Sequence, residues 1–245
     1  MLRTERDGST VWITLARPER RNALDAALIG ALTSAFAAAG DARTVVLAGE
    51  GASFCTGADV AWMRDSADLT FDENVADAQR LQSMLEAIDG CPAPVVARVQ
   101  GHALGGGCGL LACCDVVVAA ADAQFGFSEV KLGIVPAVIS PFVVARIGSG
   151  AARRYFTTGE RFDAATALGI GLVHEVAGDL DAAVEHVLAE LATAGPEAVR
   201  VAKLLARRPH PPEETAQVIA ERRGSVEGQE GLHAFLEKRP PSWRA

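Results

Sequence analysis

The residues best suited to chemistry lie in one stretch, Val99-Gln100-Gly101-His102-Ala103-Leu104-Gly105-Gly106-Gly107-Cys108-Gly109-Leu110-Leu111. An apolar run, Val95 to Val99, leads in, and a helix-compatible run, Leu110 to Cys114, leads out. Three consecutive glycines at such a junction cost backbone entropy and need a reason. One reason is the close approach of a ligand to bare backbone. The N–H groups that open a helix lack intrahelical acceptors and lie at the positive end of its dipole. They can bind an anion, or an oxygen that becomes negative during a reaction. The competing reading is a tight turn. A phosphate loop is disfavoured because the closing Gly-Lys-Ser/Thr is missing, and the dinucleotide fingerprint spacing is missing as well.

The elements around this stretch follow from pattern. Thr10 to Leu15 reads as a strand, broken by Arg17-Pro18-Glu19-Arg20-Arg21-Asn22. Asp25 can cap a helix that carries Leu28, Ile29, Leu32 and Phe36 on one face. Thr44 to Ala48 reads as a short buried strand, and the loop 49–59 follows it. Asp59 is placed to cap a short helix holding Trp62 and Met63, and Asp72 to Ile88 reads as a longer amphipathic helix. Val95 to Val99 and Val116 to Val118 read as strands. From Pro141 onward the chain reads mostly as helices, with Val184, Val187, Leu188 and Leu191 at helical spacing. Short, nearly all-apolar strands alternating with helices indicate an α/β arrangement with covered sheets.

The composition bounds the rest. A chain of 245 residues with 49% apolar and 22% charged residues can build a sizeable core. The net charge of −8 argues against a general affinity for nucleic acid or anionic membrane. No apolar run approaches transmembrane length, and the segment Met1 to Asp7 lacks the apolar core of a signal peptide, so the cytoplasm is the expected compartment. Cys55, Cys91, Cys108, Cys113 and Cys114 form no CxxC pair and read as buried, reduced thiols. The five histidines show no ligand spacing, and no metal site is expected.

Five segments in order then resemble the enoyl-CoA hydratase/isomerase (crotonase) family, across essentially the whole chain. They are Arg17-Pro18 with Asn22-Ala23-Leu24, Phe54-Cys55-Thr56-Gly57-Ala58-Asp59, Gly101 to Gly107 with Cys114-Asp115, Phe127-Ser128-Glu129-Val130-Lys131-Leu132-Gly133 with Pro136, and Phe235-Leu236-Glu237-Lys238-Arg239. The resemblance implies a crotonase (ClpP-like) β-β-α spiral over 1–190 and a helical trimerisation region over 191–245. It also implies a homotrimer or homohexamer, an acyl-CoA substrate, and no permanently bound cofactor, CoA arriving as part of the substrate. By motif, the backbone N–H groups of Ala58 and Gly106 become the oxyanion donors and Glu129 the catalytic acid/base. Ala23, Asp59, Val60 and Ala61 would flank the substrate, with Gly109 beside its acyl chain. Phe235 and Lys238 would reach the nucleotide end of CoA from a neighbouring subunit; the alternative for that pair is a packed helix face and a solvated lysine.

Two departures sharpen the expectation. Family hydratases carry a second glutamate three positions after the second oxyanion glycine, and here that position is Gly109. On this reading Gly109 leaves a side-chain-sized space beside the acyl β-carbon, fit for a methyl branch. The run Ala137-Val138-Ile139-Ser140-Pro141, with Cys113-Cys114-Asp115 and Trp62-Met63, resembles bacterial members assigned to methylglutaconyl-CoA or related branched-enoyl hydration. Lys131 is expected to be solvated, although it or Arg64 could meet a distal carboxylate. The expected activity is enoyl-CoA hydration. Δ3,Δ2-enoyl-CoA isomerisation through Glu129 alone is the alternative, and a non-catalytic CoA- or RNA-binding protein is the rival from another class. Asp59 is expected to cap a helix, and His102 to orient its loop rather than move protons.

Overall fold

Alternation along short parallel strands sets the two faces of the main sheet. The computed structural model describes residues 1–207 and 209–244. The chain runs β1 (Leu2–Asp7), β2 (Thr10–Leu15), α1 (Ala26–Ala38), β3 (Thr44–Gly49), α2 (Val60–Ser66), α3 (Phe71–Asp89), β4 (Val95–Val99), β5 (His102–Leu104), α4 (Gly106–Cys113), β6 (Val116–Ala120) and β7 (Gln124–Gly126). It continues through α5 (Ser140–Thr158), β8 (Arg161–Asp163), α6 (Ala164–Gly169), β9 (Glu175–Ala177), α7 (Leu180–Thr193), α8 (Pro196–Leu205), α9 (Pro212–Gly224) and α10 (Val226–Leu236). Six strands form one sheet in the order β1-β2-β3-β4-β6-β9, and three form a second in the order β5-β7-β8. In two successive turns of chain the first strand joins the long sheet and the second joins the short one: β4 and β5 before α4, then β6 and β7 before α5. This is the α/β spiral that the sequence resemblance implied.

Apart from the β1–β2 hairpin, the long sheet is parallel, with Val45 opposite Val95 and Val96 opposite Val116. Val45, Leu47, Val95, Ala97, Val99 and Val117 face the large core, which α1, α3 and α4 cover. Their neighbours Val46, Val96 and Val118 face the other way and pack on Leu180 and Val184 of α7. Both faces are therefore dry, as near-continuous apolar strands require. The domain boundary expected at 190/191 falls inside α7, which spans Leu180–Thr193 and covers the sheet along much of its length. Arg208 and Ala245, both in the expected helical region, lie outside the described residues. Among the described residues no helix is long and apolar enough to cross a membrane.

Local capping matches expectation. The Asp25 side chain accepts from the Leu28 N–H and the Asp59 side chain from the Ala61 N–H. Helix α3 opens on a reciprocal capping box between Thr70 and Glu73. The break at 17–22 is a 3-10 turn, Pro18–Arg20, followed by two residues in the left-handed region, Arg21 and Asn22. Asn22 is fully buried. Its Oδ1 accepts from the Arg17 N–H at 2.9 Å, and its Nδ2 donates to the carbonyls of Glu50 and Ser53 at 2.9 and 2.8 Å. One side chain thus pins the β2–α1 connection to the loop after β3. All five cysteines are buried free thiols.

Asn22→Ala removes the three hydrogen bonds of a fully buried side chain and leaves a Cβ-only residue at φ 56°. The expected loss is about 2–4 kcal/mol of folding stability, read as a lower urea midpoint at unchanged m-value.

Candidate active site

The site forms where two loops are stitched together by backbone. After Val99 the chain turns at Gly101, with φ 60°, into β5. The loop 50–58 then lies along β5 like an added strand. Phe54 N–H donates to the Gln100 carbonyl, Cys55 N–H to that of His102, and Leu104 N–H to that of Cys55. Leu24 completes the register as a parallel bridge to Ala58, its N–H donating to Gly57 O at 2.7 Å and its carbonyl accepting from Asp59 N–H at 2.8 Å. That bridge uses the groups on either side of Ala58 and leaves the N–H of Ala58 itself turned away from Leu24. Gly106 opens α4, so its N–H has no acceptor within the helix. The two donors belong to adjoining segments: a Cβ built on Gly57 would stand 3.5 Å from Gly106 N.

Strand β7 pairs with β5, and Gly105 N–H donates to the Gly126 carbonyl at 2.8 Å. The chain then passes buried Phe127, whose ring meets Phe156 edge-on at 4.9 Å, and brings Glu129 back over Gly105. A Cβ on Gly105 would lie 3.0 Å from Glu129 Oε1. Gly105 also has φ 51°, so both its conformation and its space call for glycine. Gly107 is equally constrained, because a Cβ there would stand 2.3 Å from the Cys55 carbonyl oxygen. Of the three consecutive glycines only Gly105 and Gly106 border the cavity; Gly107 serves contact between protein backbones rather than approach of a ligand.

Ala58, Gly106 and the Glu129 side chain border one cavity of ≈ 340 Å³, within the usual size range of small-molecule sites. Its wall is mostly apolar: Leu24, Trp62 and Met63 on one side, Ala78 and Leu81 of α3 on another, and Leu132 with Ile134 through Ile139 closing it. Glu129 Oε2 is buried without a hydrogen-bond partner. Burial raises the Glu129 pKa above its ordinary 4.5, the environment that suits a carboxyl for both taking and returning a proton. The other acid on the wall is Asp77, and among the described residues no lysine or arginine lines the cavity. Lys131 is exposed, as expected of a solvated lysine, and Arg64 is exposed too; both lie off the wall, so neither is placed to meet a distal carboxylate there.

The remaining expected residues divide. Asp59 caps α2 and also pairs with Arg17 at 3.0 Å; the Ala61 N–H bond, with Arg17 assisting, holds its carboxyl below the usual range. Arg17 further binds Asp25 at 2.9 Å and donates to the Ala23 carbonyl at 2.7 Å, so Ala23 and Asp59 support the first loop without bordering the cavity. Val60 and Ala61 are exposed in the chain between two wall residues, Ala58 and Trp62. Phe235 is 81% exposed and Lys238 is solvated in the left-handed region, both away from this cavity. His102 Nδ1 stands 3.4 Å from Ser53 Oγ, in keeping with a loop-orienting role.

Gly109 is a correction. It does not border the cavity, and no open space lies beside it. A Cβ there would come within 2.5 Å of Ile139 Cγ2 and 3.0 Å of Ile139 Cβ, with Leu85 Cδ2 at 3.7 Å. The space assigned to a methyl branch is filled by the protein's own isoleucine. Sequence reasoning also missed Asn74, Asp77, Ala78 and Leu81, which border the cavity. Their spacing of three and four positions, continuing into buried Leu85 and Ile88, is a helical stripe that turns polar at one end, and that change of character was the available signal.

A sequence profile described as Enoyl-CoA hydratase/isomerase matches residues 5–245. Enoyl-CoA hydratase ACTT6 of Alternaria alternata is 37% identical over 205 residues, covering 81% of this chain and 67% of that one. The crystal structure of an enoyl-CoA hydratase from Shewanella pealeana superposes with a TM-score of 0.95 at 38% identity, covering 99% of this chain and 95% of that one. AtuE of Pseudomonas aeruginosa gives 0.95 at 38% identity, covering 100% and 99%.

The raised pKa of Glu129 has a thermodynamic signature. Between 4.5 and the raised folded-state pKa, the native protein holds a proton that the unfolded chain has released. Stability therefore falls as pH rises through that window, and the cost is complete above it. Glu129→Gln removes it, so the variant is expected to melt higher than the parent at pH 8, with the gap shrinking toward pH 4.5. Melting curves of both proteins across this range check the sign.

Proposed function

Because the chain belongs to the enoyl-CoA hydratase/isomerase family, we propose that it hydrates the 2,3 double bond of an enoyl-CoA thioester with Glu129 as its single acid/base. The observation that carries the reading is the placement of the Glu129 carboxylate over Gly105, beside the N–H groups of Ala58 and Gly106, in one apolar cavity. Those two donors receive the thioester oxygen. The Glu129 carboxylate takes a proton from water as the water oxygen bonds to the β-carbon, and the π electrons move through the α-carbon to the thioester oxygen. The donors stabilise that enolate charge; one such donor is typically worth about 3–4 kcal/mol. Protonated Glu129 then delivers its proton to the α-carbon, the thioester carbonyl re-forms, and the carboxylate is restored. One water is consumed and nothing else is required.

The mostly apolar wall, which among the described residues no lysine or arginine lines, supports an uncharged acyl group over one with a distal carboxylate. A second reading, Δ3,Δ2-enoyl-CoA isomerisation, is favoured by the apolar Ile139 standing where a second carboxylate would sit. In it Glu129 moves one proton from C2 to C4 and no water enters. We further propose that the chain works as a trimer or a dimer of trimers. Helix α10 leaves Val226, Leu232, Phe235 and Leu236 exposed, an apolar set suited to burial against another copy.

Glu129→Gln is expected to lower kcat by about 10²–10⁴-fold while acyl-CoA affinity stays within a few-fold. Turnover of crotonyl-, 3-methylcrotonyl-, 3-methylglutaconyl- and 3-enoyl-CoA in ¹⁸O-water separates the readings. Label in the product supports hydration; interconversion of 3-enoyl and 2-enoyl thioesters without label replaces it with isomerisation. Light scattering at micromolar concentration should report a trimer or larger, and a monomer would overturn the proposed assembly.

A further inference from the structure

We propose that Ile139 is the specificity-determining residue of this site: its side chain takes the place that Gly109 leaves and sets which substituent the acyl chain can carry beside the reacting carbons. The proposal rests on the acyl-CoA reading above.

Two side chains lie against successive turns of the same helix. Glu129 covers Gly105, where a Cβ would stand 3.0 Å from Oε1, and Ile139 covers Gly109, where a Cβ would stand 2.5 Å from Cγ2. Gly105 and Gly109 are joined by an N–H to carbonyl bond of 3.1 Å, and four residues of helix span about 6 Å. The carboxylate and the isoleucine are thus neighbours along α4, next to the Gly106 donor that opens it. A thioester with its oxygen at Ala58 and Gly106, and its α-carbon within reach of Glu129, directs its next carbons toward Ile139. Ile139 is 3% exposed and borders the cavity.

The isoleucine is held firmly. It is the N-cap residue of α5, its carbonyl accepts from Val143 N–H at 3.0 Å, and the next residue, Ser140, ties back to the Ala137 carbonyl through Oγ at 2.8 Å. A rotamer change would move Cγ2, but Cβ itself is only 3.0 Å from a Cβ at 109. A β-branched side chain has few χ1 alternatives in any case. Positions 109 and 139 therefore share one volume, and this chain gives all of it to position 139. The wall beside the acid/base is shaped by an apolar side chain, so trimming that side chain changes what fits there.

The test reads kcat/KM for crotonyl-CoA and 3-methylcrotonyl-CoA in the parent, Ile139→Val and Ile139→Ala. The branched-to-straight ratio is expected to rise stepwise, reaching about tenfold in Ile139→Ala, the scale of small apolar-group discrimination in a pocket. A ratio taken within one variant is insensitive to its folded fraction. Calorimetric affinities for butyryl-CoA and isovaleryl-CoA provide the same ratio without turnover. If that binding ratio shifts while no enoyl thioester is turned over by the parent, the hydration reading fails and the Ile139 assignment stands. If both ratios stay within twofold in Ile139→Ala, the assignment is overturned. The shared volume is checked by melting temperatures: Gly109→Ala should destabilise the parent and be better tolerated beside Ile139→Ala. Equal cost in both backgrounds would also overturn it.

Discussion

The whole site depends on backbone segments lying closer together than any side chain permits. A Cβ on Gly101 would stand 1.9 Å from the Ala52 carbonyl oxygen, one on Gly107 2.3 Å from that of Cys55, and one on Gly57 2.9 Å from that of Leu104. These three contacts weld the loop after β3 to the β5–α4 corner. Only with that weld do the N–H groups of Ala58 and Gly106, 48 residues apart in sequence, come to border one cavity. A methyl group at any of the three would wedge the loops apart, and the damage would fall on geometry rather than on any catalytic side chain. Preorganisation of this kind is where electrostatic stabilisation draws its strength, because rigid donors need no rearrangement as charge develops.

Around the weld, polar groups are used sparingly and each holds a connection. Arg17 gathers Asp25, Asp59 and the Ala23 carbonyl, and Asn22 gathers backbone from three places. On the far side of the sheet Asp115 accepts from Val95 N–H at 2.7 Å and pairs with Lys203 at 2.6 Å, which fastens α8 to the start of β4. The carboxylate at 129 is treated differently: its Oε2 is buried and left without a partner. Asp25, Asp59 and Asp115 are each held by donors, whereas the buried Oε2 of Glu129 faces the cavity without one.

What the sequence disclosed follows from the range of each interaction. The caps at Asp25 and Asp59 were legible because a side chain and an N–H two or three residues on decide them. Helices α1, α3 and α7 were legible from their apolar spacing. The three-residue strands β5, β7, β8 and β9 are too short to show alternation and exist only through partners 20 or more residues away. Strand β1 was hidden by its polar, exposed composition at the sheet edge. Ala58, Gly106 and Glu129 were recognisable from ordered motifs, and the structure gathers them. The meaning of Gly109 was not, because the residue that gives it meaning is thirty positions downstream and meets it only across the α4–α5 packing.

The buried thiols carry a consequence of their own. All five cysteines lie in the core, and loss of hydration raises each pKa, to about 12 for Cys55 and Cys114. Thiolate is the reactive form, so in the closed protein none is available to oxidants or alkylating reagents. Cys55 and Cys108 sit within the weld itself, the latter donating to the Ala103 carbonyl at 2.9 Å. A thiol reagent can reach them only when the core around the two loops opens. The rate at which these two sulfurs react therefore reports how often the packing between the two loops is lost, by local opening or by unfolding of the whole chain.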